Sequence, residues 1–248
     1  MLAFILLPLL QMTFSQSAAA LLAVAGMPDV RAAIGLSLEA ALLASLVAAV
    51  FGVPLAYLLA RTRFRGRGLV EAVVDLPLAV PHTVAGIALL FVFGRTGFVG
   101  RLAGRLGISF WGSLAGIVIG MLFVSAPYMI NAARNSFESV DRRLEKVART
   151  LGASPVQVFR QISLPLAARG ILTGLVLTYA RSVAEFGAVI LLAYYPETAP
   201  VKIYELFLEG GLKQSSAAAV LLLFVTLSTF ILFRYLAYRR PSRVGSER

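Results

Sequence analysis

LGISFWGSLAGIVIGMLFVSAPYMINAA, residues 106–133, runs without a single Asp, Glu, Lys or Arg. RNSFESVDRRLEKVARTLGASPVQVFRQISLPLAAR, residues 134–169, follows at once and is basic, capped and punctuated. The first stretch exceeds the about 20 apolar residues that a helix needs to cross a bilayer core. The second is too polar to follow it into lipid. Uncharged runs of the same kind recur at Met1–Pro28, Ala40–Ala60, Leu76–Gly94 and Gln214–Phe233. A sixth, Gly170–Tyr195, is equally apolar but is interrupted by Arg181 and Glu185. The pattern predicts an all-α integral membrane protein of six transmembrane helices, with residues 1–248 forming a single membrane domain. Met1–Pro28 is too long for a signal peptide, lacks a basic start and holds Gln11, Ser15 and Gln16 mid-run, so it reads as a retained helix.

The composition of the 248-residue chain agrees: 59% hydrophobic, 14% charged, mean hydropathy +0.85. Six spans of about 25 residues use most of the chain, which excludes a large soluble catalytic domain. Disorder and a disulfide-stapled fold are excluded too, since there is no cysteine and little polar sequence. The net charge of +11 would suit nucleic acid if it covered a folded polar face. Instead the basic residues fall in clusters between apolar runs. Arg61, Arg63, Arg65 and Arg67, then Arg134, Arg142, Arg143, Lys146, Arg149, Arg160 and Arg169, then Arg234, Arg239, Arg240, Arg243 and Arg248 mark alternate segments. The opposite segments carry only Arg31, Arg95, Arg101, Arg105, Lys202 and Lys213. Positive residues gather on the cytoplasmic side, so both termini and segment 134–169 are expected in the cytoplasm, with no nucleic-acid partner.

Segment 134–169 is more ordered than a connector requires. Ser139 and Asp141 are candidate caps, and Asp141–Leu151 has helical spacing with Leu144, Val147, Ala148 and Leu151 on one side. Gly152 supplies a left-handed stop. Ser154 and Pro155 read as N-cap and first residue of a short helix carrying Val156, Val158, Phe159 and Ile162. Leu164-Pro165 is expected to close it. Helix, sharp turn, short helix: such a projection suits docking onto a partner, or an amphipathic hairpin lying on lipid headgroups.

Lys146-Val147-Ala148-Arg149-Thr150-Leu151-Gly152, followed by Ile162-Ser163-Leu164-Pro165, resembles the EAA signature of permease subunits of binding-protein-dependent (type I) ABC importers. The spacing from Gly152 to Ile162 and Leu164-Pro165 fits. Lys146 stands where Glu is usual, Glu145 comes one position early, and Val147 replaces Ala. The resemblance covers about residues 35–237. Within it, Leu76–Gly86 (LPLAVPHTVAG) and Arg181–Ala188 (RSVAEFGA) resemble the oxyanion branch, molybdate and tungstate permeases ahead of sulfate permeases.

That resemblance implies a homodimer, two ATP-binding cassette subunits on the cytoplasmic side, an external solute-binding protein and an oxyanion substrate. It implies that the helix around Ala153–Arg160 is a coupling helix, with Phe159 and Val156 as anchors and Gln157, Arg149 and Arg160 as rim around Gly152, Ala153, Ser154 and Pro155. The need for a motor also follows from charge. Bringing a dianion into a negative-inside cell costs about 4.6 kcal/mol per 100 mV. The chain contains no G-x-x-x-x-G-K-[ST], so ATP and Mg belong to the partner. No cofactor, metal or catalytic group is expected in this chain.

Other polar residues leave two readings each. Arg181 and Glu185 lie four apart and would share a helix face, as a structural ion pair or as a polar point on the translocation path. Arg95, Arg101 and Arg105 form a basic external loop that either docks an acidic face of the binding protein or is solvated. Pro77 and Pro81 either kink the third span or give an irregular backbone lining a cavity. His82, the only histidine, reads as a packed or hydrogen-bonded group, Trp111 as an interfacial anchor starting the fourth span, and the Ser and Thr residues of the spans as helix-packing contacts. An intramembrane enzyme would need a nucleophile and base or a metal cluster that one His and no Cys do not supply. An ion-driven secondary transporter would show internal repeats, and none is visible.

Overall fold

The computed structural model describes residues 1–238, and every regular element in them is helical. Arg239, Arg240, Arg243 and Arg248, part of the basic pattern above, lie outside the described residues. Four helices are long and apolar enough to cross a membrane: α3 (Pro28–Arg61), α7 (Leu114–Ser139), the run Pro155–Val183, and the helix from Leu212. The count rises to six if two broken pairs are each one span. These are α1 (Leu2–Phe14) with α2 (Ala18–Gly26), bent by 80°, and α4 (Arg67–Ala79) with α5 (His82–Phe93).

The breaks correct four expected spans. Met1–Pro28 is not one helix: α1 ends at Phe14, and Ser17 caps a new start by accepting from the Ala20 N–H. Leu76–Gly94 is not one helix: Val80 and Pro81 are extended (ψ 129° and 135°), and the chain starts again at His82. Pro81 has no N–H to give the preceding turn and pushes Val80 out of the α region. Gly170–Tyr195 splits likewise into α10 (Leu164–Val183) and α11 (Gly187–Leu192). In Leu106–Ala133 the helix begins only at Leu114, because Gly107 and Gly112 take positive φ in the turns before it. Trp111 therefore precedes α7 and does not open it.

The chain forms two compact units. One comprises Met1–Leu42, Pro81–Met121 and Val183–Thr229; the other comprises Leu43–Val80, Leu122–Ser182 and the chain from Phe230. In the first, Val24, Val30 and Ile34 pack with Leu206, Ala217 and Ala218. Leu206 belongs to α12 (Ala199–Gly210), and the two alanines to α13 (Leu212–Tyr238). The hydroxyl of Ser37 accepts from the Ala199 N–H at 2.7 Å, so the start of α12 is pinned to α3. α1 buries none of its residues, as a helix apolar all round does when lipid is its solvent.

In the second unit Leu59, Met129, Phe137 and Val140 form the centre, with Tyr57 set edge-on to Phe137 at 5.2 Å. Small residues let the backbones close in. A Cβ on Gly174 would lie 2.9 Å from Ala132 Cβ, and one on Gly170 would run into Ser136.

Candidate coupling and translocation sites

In the second unit, segment 134–169 folds as helix, turn, helix. Asp141 caps α8 (Arg142–Thr150) by accepting from the Arg143 N–H at 2.8 Å. Gly152 ends it at φ +90°, with the Ala153 N–H on the Ala148 carbonyl and the Gly152 N–H on that of Arg149. This is the doubly bonded left-handed helix stop that glycine permits at little cost. Ser154 then opens α9 (Pro155–Val158) with a reciprocal box: its hydroxyl accepts from the Gln157 N–H, and Gln157 Oε1 accepts from the Ser154 N–H at 2.7 Å. Gln157, expected at a rim, thus spends its side chain on its own helix start.

Leu164-Pro165 does not close the short helix, contrary to expectation. A π-turn at Phe159–Ser163 carries α9 directly into α10, with the Leu164 N–H reaching back to the Phe159 carbonyl. The wider turn accommodates the missing donor and the ring of Pro165. The two expected anchors face different surroundings. Val156 stands 64% exposed, whereas Phe159 is half-buried against Tyr57 (4.8 Å) and beside Phe137. Leu144, Val147 and Leu151 share Val156's exposure, and Arg149 and Arg160 are exposed beside them.

One charge on α8 is not exposed. Glu145 Oε1 accepts from Arg61 Nε and from the Ser163 hydroxyl, both at 2.7 Å. Arg61 also donates to the Val140 carbonyl, and Arg142 to that of Ala60. The end of α3, α8 and the π-turn are joined through a single carboxylate. No local pattern assigns Glu145 this role; its offset by one position from the EAA pattern is the trace of it in the sequence.

In the first unit the two broken helices meet. Glu185 lies in the break after α10, past the helix end at Val183, so it does not share a helical face with Arg181. Its buried carboxylate takes His82 Nδ1 at 2.8 Å and the Ala188 N–H at 2.9 Å. The fit is close. A Cβ on Gly187 would sit 2.7 Å from His82 Cβ, and one on Gly86 would sit 3.0 Å from Ala188 Cα. Only glycine lets α5 and α11 approach this far. Arg181, half-buried near the end of α10, belongs to the other unit. A second polar pair was not anticipated there: Asn131 Nδ2 donates to Asp75 at 2.6 Å.

Elsewhere in the first unit, Arg95, Arg101 and Arg105 are all exposed around α6 (Phe98–Gly104), and the Arg95 guanidinium lies 4.1 Å over the Trp111 ring. Lys202, one of the basic residues of the segments opposite the cytoplasmic ones, is held by Glu205, by Glu197 at 3.3 Å and by Asp29 at 3.8 Å. Its hydrogen bond to Glu205 leads the effects that raise its pKa above the ordinary lysine value. Burial raises that of Glu197. No cluster of three or more metal-ligating side chains occurs among the described residues.

Residues 52–241 match the family described as binding-protein-dependent transport system inner membrane component. The chain is 46% identical over 213 residues to the molybdate/tungstate transport system permease protein WtpB of Thermococcus kodakarensis, covering 86% of this chain and 81% of that protein. It is 40% identical over 220 residues to the molybdenum transport system permease protein ModB of Escherichia coli K12, covering 86% and 96%. Its fold is similar to a chain of a bacterial alginate ABC transporter crystallised with an alginate pentasaccharide-bound periplasmic protein, at TM-score 0.77 and 20% identity, covering 99% and 92%. The chain is a multi-pass protein of the cell membrane and belongs to the inner membrane components of binding-protein-dependent transport systems.

Proposed function

We propose that this chain is the membrane subunit of an ABC importer that brings molybdate or tungstate into the cytoplasm. It works as a homodimer with six spans per chain and both termini in the cytoplasm. Two ATP-binding cassette subunits sit against segment 134–169, and an external solute-binding protein delivers the oxyanion. The chain is a transport component, not an enzyme; ATP and Mg are handled by the cassette subunits, and it holds no cofactor of its own.

The observation that carries the reading is the identity to molybdate/tungstate permeases over most of the chain. The projecting turn at Gly152 and Ser154 supports it, since α8 and α9 present Leu151, Val156, Arg149 and Arg160 outward together. An apolar anchor within a charged rim is the usual form of a tight docking patch. Nucleotide-driven closure of the cassette pair would move that patch and shift the permease between its two access states. On this reading the His82–Glu185 cluster, where α5 and α11 pack, is the polar point of the path. Only the His82 ring, 44% exposed, offers a contact there, since the Glu185 carboxylate is buried behind it and would repel an anion.

The test is reconstitution of the permease with its cassette subunit and binding protein in vesicles. ATP-dependent molybdate uptake, competed by tungstate and not by sulfate, is expected. Competition by sulfate would move the assignment to a sulfate permease, of which the probable sulfate transport system permease protein of Nephroselmis olivacea, 30% identical, is an example. Uptake driven by a proton gradient without ATP would overturn the importer reading altogether.

A further inference from the structure

The segment from Phe98 to Trp111 has a surface that neither the packing nor the proposed transport cycle uses. α6 folds back on the end of α5: a Cβ on Gly100 would overlap the Gly94 carbonyl oxygen, and one on Gly97 that of Val92. Phe93 and Phe110 meet edge-on at 5.4 Å and hold the following turn to the same place. The segment is therefore fixed at the level where α5 ends. α5 is an apolar helix whose Val84, Ile87 and Phe91 are exposed along one side, the side expected to face lipid.

Around α6 the residues sort by angle. Ala103 and Gly100 face the protein. Phe98 and Leu102, four residues apart, share the next face with Leu106 just beyond, and Phe98 and Leu106 are 74% and 77% exposed. Arg101 and Arg105, also four apart, flank that apolar stripe. Between the arginines and the aromatic rings lies a recess of ≈ 360 Å³ lined by Phe93, Arg95, Arg101, Arg105, Phe110 and Trp111. Apolar tips beside arginines, with a Trp at the edge, are how a helix lies in a membrane interface.

We infer that residues 98–111 lie in the headgroup layer of the bilayer, with Phe98, Leu102 and Leu106 in the acyl boundary and Arg101 and Arg105 on the phosphate of an anionic phospholipid. Charge complementarity selects this occupant. A second copy presenting the same patch across a two-fold axis would set one arginine-bearing patch against another. A soluble binding protein that leaves in every cycle would return the apolar tips to water each time, whereas lipid covers them throughout. The inference does not rest on the proposed substrate or motor.

Trp111 is the only tryptophan, so native emission reports on this segment alone. The permease is reconstituted in mixed vesicles in which either phosphatidylglycerol or phosphatidylcholine carries bromine near the headgroup end of its chains. Both lipids are expected to quench Trp111, the anionic one more strongly at equal mole fraction. Each arginine favours anionic lipid by about fivefold. The preference is expected to vanish in the double variant R101Q/R105Q, with Arg95 retained because it lies on the ring itself. Equal quenching by the two lipids in the unaltered protein would overturn the phosphate contact. Absence of quenching by either lipid, with full quenching by aqueous iodide, would overturn the interfacial placement. If added binding protein then removed the iodide quenching, the arginines would be assigned to protein docking.

Discussion

Arg61 Nε and Glu145 Oε1 meet at 2.7 Å with 8% of each side chain exposed, although 84 residues separate them. Removing one partner of such a pair leaves the other charge buried, which typically costs about 3–5 kcal/mol. Glu145→Ala is therefore expected to lower the unfolding temperature of the detergent-purified permease by several degrees. Lys146→Ala, one residue away and exposed, is expected to leave it within error. Equal effects of the two would show that the pair does not hold α8 in place.

Val156 and Phe159 separate stability from docking. Val156→Asp is expected to keep the melting temperature and to abolish co-purification of the cassette subunit. Phe159→Ala removes the ring packed on Tyr57 and, half-buried, is expected to cost about 2 kcal/mol, below the range for a full core aromatic. A Val156→Asp permease that still binds its cassette subunit would place the docking patch elsewhere.

Gly152 sits at φ +90° in open space, so a side chain there meets no neighbour and only the backbone resists it. Gly152→Ala is expected to cost about 1–2 kcal/mol, and Gly152→Asn less, because Asn tolerates the left-handed region. Ser154→Ala, which removes half of the capping box, should cost about 1 kcal/mol. Chemical denaturation with a reporter on α9 would rank the three.

Gly86 and Gly104 make a contrast. A side chain at Gly86 presses on the Ala188 backbone, while Gly104 has nothing near it. Gly86→Val is expected to destabilise by about 1–3 kcal/mol through overpacking. Gly104→Ala should be neutral or slightly stabilising. Thermal unfolding of both variants checks the closeness of α5 and α11.

Glu197 gives a pH dependence. Burial raises its pKa, so the folded state holds this proton more readily than the unfolded chain. The folded state is then penalised as pH rises through the raised pKa, starting above the ordinary carboxylate value of about 4.3. Glu197→Gln, which has no charge to bury, is expected to be more stable than the unaltered protein at pH 8. The two should converge towards pH 4. A constant difference across that range would remove Glu197 as its cause.

The apolar runs and segment 134–169 were legible in the sequence because span length and helix caps are local signals. Asp141, Gly152 and Ser154 act as their residue types dictate. The breaks at Val80–Pro81 and after Val183 were less legible, since hydropathy does not record the direction of the backbone. The His82–Glu185 contact joins residues 103 apart, and no periodicity encodes such a distance. The inward turn of Phe159 was not legible for a local reason: positions three apart on a helix differ by about 60° in direction, enough to leave Val156 exposed while Phe159 packs on Tyr57, and spacing alone does not say where the edge of a buried face falls.

The π-turn also makes chain length a constraint in its own right. Each residue added to or removed from a helix rotates everything beyond it by about 100°. The one extra residue held in Phe159–Ser163 therefore sets the azimuth at which Ser154 and Pro155 leave α10. A substitution among Arg160, Gln161 and Ile162 alters a side chain; a deletion there would turn the whole projection away from its present bearing. Along this stretch the spacing itself carries information, independent of which letters fill it.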